Sequence, residues 1–206
     1  MTSAPPIASL RRFVKPRVTG SPSQPERCDL CSRQLGLAHR HLFDPGARRL
    51  LCACDACVLL FPHTGETHFL PVPRRVRRLD EFSISDGQWD SLGIPIGLAF
   101  FIRQSRTGRI AAIYPSPAGS TESELPADSW DELVEANPIL KTLDADVEAL
   151  LVNRTQERRD YYIAPIDRCY ELTGTVRKHW RGLSGGAALR EAVDRFFAGL
   201  VSARHA

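Results

Sequence analysis

Between positions 28 and 57 the chain reads CDLCSRQLGLAHRHLFDPGARRLLCACDAC. Cys28 and Cys31 form one C-x2-C pair, Cys54 and Cys57 form a second, and Cys52 stands just ahead of it. Five of the six cysteines in the chain fall within these thirty residues. A C-x2-C turn aims two thiolates at one point, so two such turns joined by a hairpin-length segment supply a tetrahedral sulfur cage. Four side chains from two places must then converge on one ion, and the backbone between them has little choice of path.

Zinc suits four thiolates with no open position, as in a structural site. Iron in a rubredoxin-like site needs the same four sulfurs, so an electron carrier stands as the alternative. Five cysteines for four places leave one over. Cys52 belongs to the incoming strand, so Cys28, Cys31, Cys54 and Cys57 are the expected ligands, with Cys52 as the alternative ligand. His39, His41 and Phe43 alternate along one strand, Asp44-Pro45-Gly46 makes a turn, and residues 48–52 return as a second strand. The apolar run 58–61 then reads as a short helix. Knuckle, hairpin, knuckle and helix describe a treble-clef or zinc-ribbon-like unit, and a module this small needs its ion, on the order of 10 kcal/mol in peptide models. His-rich finger nucleases are also built on a treble clef, but the only two Asn, Asn137 and Asn153, lie far outside the module. His39 and His41 are therefore expected to line the strand face beside the cage and to hydrogen-bond thiolates.

The rest of the chain reads as a globular α+β domain. Of its 206 residues 43% are hydrophobic and 25% charged, which argues against disorder as the default. The longest apolar run, 94–102, is broken by Pro95 and is far short of the roughly 20 residues a spanning helix needs, so no membrane span is expected. Residues 1–27 read as a disordered, cytoplasmic arm, because Arg11-Arg12 is followed by polar, Pro-rich sequence instead of an apolar export signal. The expected division is 1–27 arm, 28–62 four-cysteine metal-binding module, 63–84 connecting segment and 85–206 α+β domain. Within the last, Asp86 is expected to cap a short helix bearing Trp89 and Leu92, and residues 96–103 and 109–114 to form a hairpin about residues 105–108. Residues 114–125, YPSPAGSTESEL, read as a loop, and Asp128 as the cap of a helix ended by Asn137-Pro138. Strands are expected at 147–152 and 161–166. A helix from Asp167 should bury Tyr170, Thr173, Val176 and Trp180. The last helix has the clearest period, with Leu189, Val193, Phe196, Phe197 and Leu200 on one stripe. The outcome is a small antiparallel sheet with helices packed on it.

Charge is uneven: residues 1–80 hold 13 Lys and Arg against 6 Asp and Glu, and residues 81–206 hold 14 against 18. A nucleic-acid-binding zinc ribbon would use Arg11, Arg12, Arg17 and the cluster from Arg74 to Arg78. Few aromatics interleave with those arginines, so stacking readout is poorly supported and nucleic acid is not the expected partner. Cys169, near a helix start with no His beside it, reads as a small buried residue. His179-Trp180-Arg181 reads either as a docking edge or as a helix end with Trp packed inside. Residues 184–186, Ser-Gly-Gly before the last helix, give only a weak signal for an anion at a helix N-terminus.

Taken together, the strings CDLC, HRHL, RRLLCACDACVLLF, GIPIGLAFFIR, YPSPAGSTESEL and HWRGLSGG resemble a bacterial family of unknown function, from about residue 28 to the C-terminus. Genes of that family often neighbour those of actinobacterial-type, high-affinity nickel–iron (NiFe) hydrogenases. The resemblance implies Cys28, Cys31, Cys52, Cys54 and Cys57 as the cage positions and hydrogenase subunits as partners. It also makes the segments 114–125 and 179–186 candidate contact surfaces, with Tyr114, Pro115, Ser116, His179, Trp180 and Arg181 as the expected partner-binding residues. With no catalytic constellation legible, the expectation is a non-enzymatic zinc-binding accessory protein.

Overall fold

The computed structural model describes residues 25–61, 68–182 and 185–202. The expected arm ahead of residue 25, with Arg11, Arg12 and Arg17, lies outside the described residues, as does Ser184. The fold is mixed α+β, with two antiparallel sheets and helices packed on them.

The larger sheet has six strands. β4 (Arg77–Arg78), β5 (Leu98–Arg103), β6 (Ile110–Ser116), β7 (Gly119–Glu124), β8 (Glu148–Asn153) and β9 (Asp160–Pro165) are arranged in the order β4-β9-β8-β5-β6-β7. Because side chains alternate across a strand, β5 sends Leu98, Phe100 and Ile102 to one core and Ala99 and Phe101 to the other. β8 does the same with Ala149 and Leu151 against Leu150 and Val152. Both faces are buried, which is why these strands read as unbroken apolar runs. One face is covered by α4 (Ile166–His179) and α5 (Gly186–Ser202), the other by α2 (Asp86–Ser91) and α3 (Ala127–Ala136). The stripe expected on the last helix is present: Val193, Phe196, Phe197 and Leu200 are buried and Leu189 is partly buried beside them.

The smaller sheet, in the order β2-β1-β3, comprises β1 (Arg40–Asp44), β2 (Arg49–Ala53) and β3 (Leu70–Pro71). Its Asp44 turn is built as expected, with the carboxylate Oδ1 accepting from the N–H groups of Gly46 and Ala47, each at 2.9 Å. The short helix α1 (Asp55–Val58) follows directly from β2. Residues 63–84, read as a connection, contribute a strand to each sheet: β3 pairs with β1 and β4 with β9. Phe43 and Val72 of the small sheet region belong to the same core as α4 and α5. The module and the larger domain therefore share buried apolar surface.

Several local expectations are corrected. Residues 114–125 are not a loop: they are the end of β6, a two-residue turn and all of β7, paired from Ala111↔Glu124 to Ser116↔Gly119. β7 is a polar edge strand, so its sequence carries no apolar alternation. The cap of α2 is Ser85, whose hydroxyl accepts from the Gln88 N–H while Gln88 Oε1 accepts from the Ser85 N–H. This capping box outcompetes Asp86, which sits in the first turn. α3 starts one residue ahead of Asp128, with Pro126 at the cap. The buried face of α4 carries Ile166, Cys169, Leu172, Thr173 and Val176, while Tyr170 and Trp180 only flank the core. The helix after the second knuckle forms one turn earlier than read, leaving Leu59 and Leu60 exposed at 83% and 71%.

Candidate metal centre

The first C-x2-C pair lies in a tight turn closed at both ends. The Cys28 N–H donates to the Arg33 carbonyl and the Ser32 N–H to the Cys28 carbonyl, each at 2.8 Å. Ser32 takes the left-handed conformation that reverses the chain, at φ 61°. The second pair is delivered by β2 and α1. Cys54 is the residue ahead of the helix, in extended conformation, and Cys57 lies one turn into it. All six cysteines are free, and the sulfurs of Cys28, Cys31, Cys54 and Cys57 lie within 4.8 Å of one another.

Cys31 and Cys54 Sγ are 3.7 Å apart. A tetrahedral zinc ion about 2.3 Å from each of four sulfurs sets them about 3.8 Å apart, so this spacing fits a zinc-binding module. Cys28, Cys54 and Cys57 are buried and Cys31 is exposed. Burial opposes ionisation of the Cys28 thiol, but the N–H groups of Cys54, Cys31 and Leu30 outweigh it and hold the pKa near 6. In the same cluster, hydrogen bonds to the Cys54 and Cys31 sulfurs, with burial, push Cys57 up to about 12. Crowded sulfurs share few negative charges among themselves, and a divalent cation relieves that restriction for all four.

Cys52 does not join this group. The sulfur of Cys52 and a ring nitrogen from each of His39 and His41 form a separate cluster, again within 4.8 Å of one another. The expectation that the two histidines line a strand face near the cysteines holds for Cys52, which clusters with both of them. The larger influence on His41 is Asp167, and the two partners push its imidazole up to about 9 against the effect of burial. The pairing of His41 with residue 52 is a matter of register, set by the length of the Asp44 turn. Asp167 comes from a helix start more than a hundred positions away, where no sequence signal marks it.

Of the other expected site residues, Tyr114 and Ser116 are half-buried on β6 and Pro115 is buried. His179 ends α4, its Nδ1 hydrogen-bonded to the Thr175 carbonyl at 2.9 Å. Trp180 is partly buried against the core and donates its indole N–H to the Gly182 carbonyl. Arg181 is exposed and caps the helix by donating to the Lys178 and Trp180 carbonyls. Cys169 is fully buried, and burial raises its pKa, as suits a small core residue.

No helix among the described residues is long and apolar enough to cross a membrane. No curated protein and no solved structure matches the chain. One family model does, and it takes in both the cysteine module and the α+β domain. With residues 27–204 matched, the chain belongs to the family of unknown function DUF5947.

Proposed function

We propose that this is a non-enzymatic accessory protein of the cytoplasm in which Cys28, Cys31, Cys54 and Cys57 hold a structural zinc ion, and that it assists assembly or stability of a nickel–iron hydrogenase. The convergence of four sulfurs carries the zinc part of this reading, because they fill a tetrahedron and leave no open position for chemistry. The hydrogenase part rests on the resemblance of the cysteine, hairpin and HWRGLSGG strings to a family whose genes neighbour hydrogenase genes. Leu59 and Leu60, projecting from the module, offer apolar surface for a protein partner.

A protein partner is favoured over nucleic acid by the state of the basic cluster. Arg75 and Arg77 face Glu148, and Arg78 pairs with Asp80 and Asp160, so three of these cations are engaged within the fold. Co-purification with tagged hydrogenase subunits, lost in Leu59→Asp/Leu60→Asp, tests the reading. Normal hydrogenase maturation in a deletion strain contradicts it. The rubredoxin-like alternative uses the same four sulfurs and is separated by colour: iron gives a red protein with a reversible one-electron wave, zinc a colourless one.

A further inference from the structure

We propose that His39, His41 and Cys52 form a second metal site, distinct from the four-sulfur cage, that takes one zinc ion and leaves its fourth position open. The backbone puts these side chains together. His39, the residue just ahead of β1, and His41 within it are two apart, so in extended backbone they share one face. Antiparallel pairing sets Cys52 directly opposite His41.

That pair is of the close kind. The Cys52 N–H donates to Asp29 Oδ2 at 2.7 Å and its carbonyl accepts from the Asp29 N–H at 2.8 Å. The His41 carbonyl accepts from the Val72 N–H on the other side. Neither residue hydrogen-bonds its opposite number through the backbone, and in such pairs the side chains approach most closely. The two imidazole centroids are 4.7 Å apart.

The outer nitrogens are already committed. His39 Nδ1 lies 3.0 Å from the Gly36 carbonyl and 3.4 Å from Glu26 Oε2. His41 Nδ1 lies 2.9 Å from Asp167 Oδ2. Metal-binding histidines carry this arrangement, one nitrogen held by a carbonyl or carboxylate and the other turned to the ion. The remaining nitrogen of His39, Nε2, is buried with no hydrogen-bond partner, in a side chain that is 9% exposed. The hydrogen bonds among the described residues leave this His39 nitrogen stranded. An ion bound to all three satisfies every one. Two imidazoles and a thiolate are borderline-soft donors, and three protein ligands leave a position for water or a partner's side chain.

Full-length protein stripped of metal and titrated with zinc, then with cobalt(II) as a spectroscopic probe, tests the site. Wild type is expected to bind two equivalents, and Cys52→Ser and His39→Ala one each. In cobalt, one equivalent should give the intense charge-transfer bands of four thiolates, and the other weaker bands that vanish in Cys52→Ser. Saturation of wild type at one equivalent overturns the site even if a variant fails to fold, and so do two equivalents retained in both variants. Cys52→Ser keeps the two tests apart, since it leaves all four cage cysteines in place and should keep the four-thiolate bands while the weaker bands disappear.

Discussion

His41 and Asp167 are 126 positions apart in sequence and are joined through Nδ1 and Oδ2 at 2.9 Å. One stands on the hairpin between the cysteine pairs, the other in the first turn of α4 on the larger domain. This polar link accompanies the apolar one made by Phe43 and Val72. Asp167→Ala should lower stability by about 1–3 kcal/mol in denaturant titrations, as expected for a hydrogen bond to a charged group. It should also weaken the second zinc equivalent about 10–100-fold, the usual cost of losing a carboxylate behind a metal-bound histidine. An unchanged midpoint and an unchanged affinity would show that the contact is incidental.

Metal removal should act on one part of the molecule first. Stripping the ion from the four-sulfur cage takes away stabilisation on the order of 10 kcal/mol from a module with little core of its own. Limited proteolysis of the chelated protein should therefore cut between residues 28 and 61 while the six-stranded sheet region persists. Cys31→Ser should give the same pattern without chelator. Equal protection of the module with and without metal would contradict the zinc reading.

Two glycines give opposite predictions. A Cβ on Gly97 would lie 2.8 Å from both the carbonyl carbon and oxygen of Arg154, whose N–H donates to the Gly97 carbonyl at 2.6 Å. Gly97→Ala must push β5 and the 3-10 turn after β8 apart and should cost about 1–3 kcal/mol. Gly174, within α4, has nothing within 4 Å of its absent Cβ. Gly174→Ala should stabilise by about 0.5–1 kcal/mol, because the helix gains propensity without a clash. Thermal melts of the two variants check both signs.

The Asp44 turn predicts an acid-sensitive hairpin. The N–H of Ala47 holds the Asp44 carboxyl below its ordinary value, burial works against it, and the Gly46 N–H adds to the lowering. A carboxyl depressed in the folded state contributes stability that is complete above its unfolded pKa of about 3.9 and is lost as pH falls through the lower, folded value. Asp44→Asn keeps an acceptor and has no proton to gain. Wild type should therefore lose more stability than this variant between about pH 5 and pH 2. Parallel losses would remove the turn as the cause.

Much of this is legible in the sequence because it is local. The paired cysteines, the Asp44-Pro45-Gly46 turn and the stripe from Leu189 to Leu200 each follow from spacing within a few turns of chain. The 114–125 segment reads wrongly as a loop because Pro115, Pro117 and Gly119 mimic one, and because GSTESE, at a sheet edge, has no need of apolar alternation. Leu172 is hard to see as a core residue on α4, where Tyr170 and Trp180 look like the natural inward ones. Glu148, fully buried among apolar strand residues and facing Arg75 and Arg77, needs partners from the 63–84 segment that no local pattern announces. The role of Cys52 depends on hairpin register and on a helix far along the chain, and cysteine counting alone treats it as a spare.

The most direct measurement is metal analysis of protein purified without added metal, on wild type and on Cys31→Ser. The four-sulfur cage requires tightly held zinc in colourless wild-type protein, with at least one equivalent lost in the variant. A red, iron-bearing protein, or a metal content that the substitution leaves unchanged, would contradict it.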